Sequence, residues 1–142
     1  MDLPIKIKIL NDSIDIPSYG HPGDAGFDVR SLEDYILKPG ERKIFMNGFA
    51  LELPTGYGAF MMDKSSTSKI GIKTLGGVFD AGYRGEYNVN IINLSDEPFV
   101  ITKGQKIAQL VILPVLTAQF EKVSELSDSS RGEGAFGSTG TH

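Results

Sequence analysis

Ile5-Lys6-Ile7-Lys8-Ile9 alternates apolar and charged side chains with a period of two. Successive side chains of an extended chain point to opposite sides, so this stretch reads as a strand with one face buried and one in water. The same reading extends outward. Short apolar runs follow at residues 35–37, 43–45, 49–53, 57–62, 87–93, 99–101, 107–113 and 119–123. Between them lie Pro22-Gly23, Pro39-Gly40, Pro54-Thr55-Gly56, Gly76-Gly77 and Lys103-Gly104, where the preset φ of proline or the positive φ open to glycine suits a chain reversal. No stretch holds a helical period for three turns. The best helical candidate, residues 66–70 behind a serine able to cap it, is a turn or two long. Many short strands at close spacing imply an all-β barrel or sandwich of jelly-roll type.

The totals bound the rest. A chain of 142 residues is the size of one domain, and its 17 glycines and 7 prolines with 40% apolar residues suit a folded protein rich in turns. The absence of cysteine excludes disulfides, thiolate zinc sites and a cysteine nucleophile, and fits a reducing compartment. The N-terminal residues form no continuous apolar run, and no segment approaches the roughly 20 apolar residues of a membrane helix, so a soluble cytoplasmic protein with no membrane partner is expected. A formal charge of −4 argues against nucleic acid as a partner, since backbone binding needs clustered positive charge. A small phosphorylated ligand stays open, because it needs only a few local cations or amides. From residue 124 the chain turns to serine, glycine and acidic residues with one phenylalanine, too little apolar surface to offset the entropy of ordering. The expected division is a β-barrel core over 1–123 and a mobile C-terminal arm over 124–142.

Two stretches carry more chemistry than their folding role needs. Gly76-Gly77-Val78-Phe79-Asp80-Ala81-Gly82-Tyr83-Arg84-Gly85-Glu86 crowds charged and glycine-flanked side chains between two strands, where a simple hairpin turns in two to five residues. Arg131-Gly132-Glu133-Gly134-Ala135-Phe136-Gly137-Ser138-Thr139-Gly140 contains a formal G-x-G-x-x-G spacing. That fingerprint works only between a strand and a helix, and two residues follow Gly140, so the match is discounted as a dinucleotide turn. The chemistry of the stretch remains: glycines admit backbone amides to an anion, and Ser138 and Thr139 add hydroxyl donors.

Five segments in order resemble the five motifs of the trimeric dUTPase family: Ala25-Gly26-Phe27-Asp28-Val29-Arg30; Asp63-Lys64-Ser65-Ser66; Gly77 to Glu86; Gly104-Gln105-Lys106-Ile107-Ala108-Gln109-Leu110; and Arg131 to Gly140. The resemblance implies a distorted jelly roll of β-clip type that assembles as a homotrimer with shared active sites. It also implies the reaction: dUTP hydrolysed to dUMP and pyrophosphate with Mg²⁺, which keeps uracil out of DNA and supplies dUMP for thymidylate synthesis.

Site roles follow from the same resemblance. Asp80 matches the general base that activates water toward the α-phosphorus; taken alone, Asp-Ala-Gly is ordinary turn material. Gly77, Val78 and Asn88 fall on the hairpin that reads uracil through backbone groups, and Tyr83 corresponds to the ring that packs under deoxyribose and excludes a 2′-hydroxyl. Ser65 and Ser66 match the phosphate-binding second motif at a short helix start. Lys64 stands where the family usually has arginine, so a point charge replaces a bidentate fork. Gln109 matches a phosphate-contacting glutamine, and Asp28 the aspartate that supports Mg²⁺ through its water shell. In the arm, Arg131 is matched to the γ-phosphate, Phe136 to stacking over uracil, and Gly137, Ser138 and Thr139 to wrapping the phosphates, with Ala135 replacing a usual glycine. His21 and His142 fall outside the motifs and read as solvated surface residues. Two alternatives stand beside this reading: a dCTP deaminase-like enzyme of the same fold, distinguished by ammonia release, and a nucleotide-binding regulatory module without catalysis.

Overall fold

The computed structural model describes residues 2–140. Eleven strands and one short helix follow in the order β1 (Lys6–Ile9), β2 (Gly26–Arg30), β3 (Tyr35–Leu37), β4 (Arg42–Met46), β5 (Phe49–Glu52), β6 (Tyr57–Met62), α1 (Ser65–Ser68), β7 (Ile72–Leu75), β8 (Val78–Phe79), β9 (Asn88–Asn93), β10 (Phe99–Ile101) and β11 (Lys106–Pro114). Every pairing is antiparallel. β2-β11-β6-β8 form one sheet and β4-β9-β7 another, with β1-β5 and β10-β3 as two-stranded ribbons. The fold is all-β and jelly-roll-like, as the alternation implied.

Period two decides which residues enter the core. β9 reads Asn-Val-Asn-Ile-Ile-Asn and buries Val89, Ile91 and Asn93, while β2 buries Phe27 and Val29 and leaves Asp28 and Arg30 on its outer face. Leu37, Phe45, Tyr87, Ile91 and Leu110 are at most 1% exposed. Each such side chain contributes about 1.5–3 kcal/mol relative to exposure.

Three features depart from the sequence reading. β7 and β8 are strands in a region with no alternation long enough to announce them, and β8 has two residues. Residues 119–123 form no strand: the segment pairs with no other strand among the described residues, and Phe120 is 97% exposed. The helix begins one residue earlier than expected, at Ser65, with Lys64 at its N-cap and no side-chain cap hydrogen bond. Among the described residues no helix is long and apolar enough to cross a membrane.

Candidate active site

One group of polar residues gathers on the outer face of the β2-β11-β6-β8 sheet. Asp28 lies directly opposite Gln109 in the β2–β11 register, and Lys64 ends the segment that follows β6. Lys64 pairs with one oxygen of the Asp28 carboxylate, while Lys106 Nζ lies 2.9 Å from the other. Burial pushes the Asp28 carboxyl up, yet the hydrogen bonds from Lys64 and Lys106 outweigh it and hold the group below its ordinary 3.8. Gln109 donates from Nε2 to the Asp63 carbonyl at 2.9 Å, tying β11 to the approach to α1. Asp63 in turn accepts the Thr74 N–H at 2.7 Å and Lys73 Nζ at 2.6 Å, which braces that approach against β7. Gly26 leaves room for this arrangement, because a Cβ there would stand 2.8 Å from Gln109 Oε1. Asp28, Lys64, Lys106 and Gln109 line a cavity of about 320 Å³, with exposed His21 at its rim. Ser65 and Ser66 are exposed on the first turn of α1.

A second group sits on the loop from β8 to β9. Gly77 has φ +99°, and a Cβ on it would meet Met61 Cβ at 2.8 Å, so only glycine fits the approach of this loop to β6. Gly77 also accepts the Met61 N–H at 2.7 Å. The Tyr83 N–H bonds to the Asp80 carbonyl at 3.0 Å, closing a turn that leaves Asp80 exposed, and Arg84 braces it through the Ala81 carbonyl at 2.6 Å. The Tyr83 ring leans on Phe79 and Tyr87 at 5.7 and 5.9 Å, and its hydroxyl donates to the Glu86 carbonyl at 3.0 Å. Gly85 leaves room for the Tyr83 ring, since a Cβ there would lie 2.6 Å from Tyr83 Cζ. The Glu86 carboxylate accepts the Gly48 N–H at 2.9 Å and tethers the loop to the β4–β5 turn. Val78 is 67% exposed, and the half-buried Asn88 donates from its amide to the Glu86 carbonyl at 3.2 Å.

The two groups do not meet within one chain. Continuing the β6–β8 register by one residue sets Asp80 level with Gly58, which pairs Leu113, whereas Asp28 is level with Gln109. Three strand spacings of about 4.8 Å and an offset of four residues of about 3.4 Å each put Asp28 and Asp80 roughly 20 Å apart. The C-terminal stretch joins neither. Arg131 Nε bonds to the Gly134 carbonyl at 2.8 Å, Gly140 N–H to the Gly137 carbonyl at 2.9 Å, and Phe136, Gly137, Ser138 and Thr139 are exposed. His142 lies outside the described residues.

Sequence reasoning left Lys106, Glu86 and Gly26 without functional roles. Lys106 could have been suspected only from the charge that follows Gly104-Gln105, since lysine on an exposed strand end is commonplace. Glu86 is visible solely through its long-range bond to Gly48.

The sequence and the fold both have known relatives. The family model for dUTPase matches residues 12–140. A deoxyuridine 5′-triphosphate nucleotidohydrolase of Nautilia profundicola is 48% identical, the alignment covering 97% of this chain and 99% of that protein. One of the same name from Thermobifida fusca is 46% identical over 97% of this chain and 79% of its own length. In three dimensions the dUTPase of Staphylococcus bacteriophage 80alpha with dUpNHpp superimposes with a TM-score of 0.87 at 30% identity, covering 97% of this chain and 99% of that one. A mutant dUTPase from phage phi11 of S. aureus, described with a structural Mg(II) ion, gives a TM-score of 0.77 at 27% identity over 86% of this chain and 97% of its own. With the motifs in order, the jelly-roll frame around them and a family match across nearly the whole length, the chain belongs to the dUTPase family.

Proposed function

We propose that this chain hydrolyses dUTP to dUMP and pyrophosphate through Mg²⁺-assisted attack of water on the α-phosphorus, in a homotrimer whose active sites draw on several copies of the chain. The product supplies dUMP for thymidylate synthesis, and removal of dUTP keeps uracil out of DNA. The observation that carries the reading is the division of the motif residues: Asp28, Lys64 and Gln109 gather at one cavity while an exposed Asp80 lies roughly 20 Å away, so that a second copy would let them meet on one nucleotide. A cyclic assembly supplies that copy with the same surface on each subunit.

Asp80 accepts a proton from the attacking water as the new P–O bond forms and the bond between the α-phosphorus and its bridging oxygen breaks, pyrophosphate leaving with that oxygen. Its exposure at a braced turn leaves the carboxylate open to the neighbouring subunit's cavity. Gly77, Val78 and Asn88 present backbone groups to uracil; a site matched to its N3 and 4-position leaves buried groups unpaired against cytosine. Tyr83, fixed against Phe79 and by its bond to Glu86, packs under deoxyribose and leaves no room for a 2′-hydroxyl. Lys64, Ser65, Ser66 and Gln109 receive the phosphates at the cavity, and Arg131, Phe136, Gly137, Ser138 and Thr139 close over the nucleotide.

The Asp28 carboxylate, ionised between Lys64 and Lys106 at the cavity, would support the Mg²⁺ ion through its water shell, with the triphosphate supplying oxygen ligands. When bound, the ion neutralises phosphate charge and polarises the α-phosphoryl group. Assaying dUTP, dTTP, dCTP and UTP with and without Mg²⁺, for the parent and for Asp80→Asn, tests the proposal. Pyrophosphate release is expected from dUTP alone, and the variant is expected to lose at least about a hundredfold in turnover while still binding nucleotide. Ammonia release from dCTP, or full activity in the variant, would overturn it.

A further inference from the structure

Lys106 belongs to none of the roles above, yet it occupies the second oxygen of the Asp28 carboxylate at 2.9 Å. Its place there depends on an irregularity. Residues three apart on a regular strand face opposite sides, so Lys106 and Gln109 could not both look outward from β11. The β2–β11 register shifts between Lys106 and Ala108, and the strand accordingly buries Ile107 and Ala108 in succession while Lys106, Gln109 and Asp28 share one face. Such a bulge disrupts a ladder to re-aim a side chain. Lys106 and Asp28 also lie together in the walls of both neighbouring cavities, the one lined by Gln109 and another of about 440 Å³ under residues 13–18.

In the proposed function Lys64 is shared with the triphosphate, which loosens its hold on Asp28. We infer that Lys106 is a positioning residue, which holds the Asp28 carboxylate in place when Lys64 is drawn to the nucleotide. This inference rests on the proposed role of Asp28 toward the magnesium-bound waters. Lys106 acts on the carboxylate's orientation rather than on phosphate, so its loss weakens only the part of nucleotide affinity that depends on the metal.

Calorimetric titration of the assembled protein with dUpNHpp, in Mg²⁺ and in EDTA, separates these parts. Lys106→Met is expected to lower the Mg²⁺-dependent gain in affinity by about tenfold, the scale typical for removing a partner that orients a metal-supporting group, with a change of under about threefold in EDTA. Lys106→Arg is expected to restore most of the gain, and Lys106→Met added to Asp28→Asn is expected to cost nothing more. A gain preserved in Lys106→Met, or an equal loss with and without Mg²⁺, overturns the inference. If Asp28→Asn alone keeps the full gain, the underlying role of Asp28 has failed; if it loses the gain while Lys106→Met does not, only the role of Lys106 has. Lys106 is half exposed, so both variants are expected to fold; Lys106→Gln provides a second uncharged variant.

Discussion

Mixing two inactive variants puts the division of the site to a quantitative test. Asp28→Asn spoils the cavity of the chain that carries it, and Asp80→Asn spoils the exposed carboxylate of another. A general base must reach its proton across a hydrogen bond or a single water, a few ångströms at most. The roughly 20 Å between Asp28 and Asp80 in one chain therefore forbids a site built from both of them. In oligomers formed at random from equal amounts of the two variants, an intact site needs an Asp80→Asn chain providing Asp28 and an Asp28→Asn neighbour providing Asp80. Each condition is met half the time, so about a quarter of the sites should be whole. Co-expression with two affinity tags, purification through both and measurement of pyrophosphate release would read that fraction against the parent, after correction for oligomers lacking one variant. Each variant assembled alone should be inactive. If doubly tagged oligomers of the normal size release no more pyrophosphate than either variant by itself, Asp28 and Asp80 act from one chain and the inference from strand register is wrong.

Truncation before Arg131 is expected to leave a folded oligomer with turnover lowered at least tenfold, because the hydrogen bonds of Arg131, Gly132 and Gly140 stay within the arm itself; size-exclusion chromatography beside the dUTP assay checks both halves. Tyr87→Phe should stabilise the protein. The Tyr87 hydroxyl is buried without a hydrogen-bond partner and burial pushes its pKa to about 12, while the ring stacks on Phe79 at 4.2 Å and on Phe49 at 5.4 Å. Removing an orphaned hydroxyl gains about 1 kcal/mol, which for a chain of this length raises Tm by about 3 °C; a lower Tm by calorimetry would reveal a partner for the hydroxyl. Asp63 governs a pH effect. Burial raises its carboxyl, but the bonds from Lys73 and Thr74 prevail and depress it below 3.8 in the folded state, so its contribution is present above the unfolded value and is lost as pH falls through the folded one. Tm of the parent should therefore fall more steeply below about pH 4 than that of Asp63→Asn, and parallel curves would exclude the carboxylate as the source.

The strands that alternate cleanly were legible because burial on one face writes itself into the sequence: Ile7 turns inward between exposed Lys6 and Lys8, and Val89 between half-buried Asn88 and Asn90. β8 was not legible, since two residues hold no period and its place depends on glycine at 77 letting the chain approach Met61. Residues 119–123 show the converse, a strand-like pattern that finds no partner strand among the described residues. Asp28, Lys64 and Gln109 could be named from motifs, and the fold brings these three together. Their dependence on Lys106 could not be read, because it arises from a register shift between two strands distant in sequence.

β11 runs for nine residues between β2 and β6, is paired on both sides over residues 109–111, and carries Gln109 in the cavity wall. Amides in a doubly bonded interior strand exchange with solvent only through the largest openings of a protein, whereas terminal segments exchange through the smallest. The strand segment around Gln109 should thus be among the slowest regions to take up deuterium and residues 124–140 among the fastest. Heating is therefore expected to free the C-terminal residues first, with the cavity wall at β11 surviving until the chain itself melts.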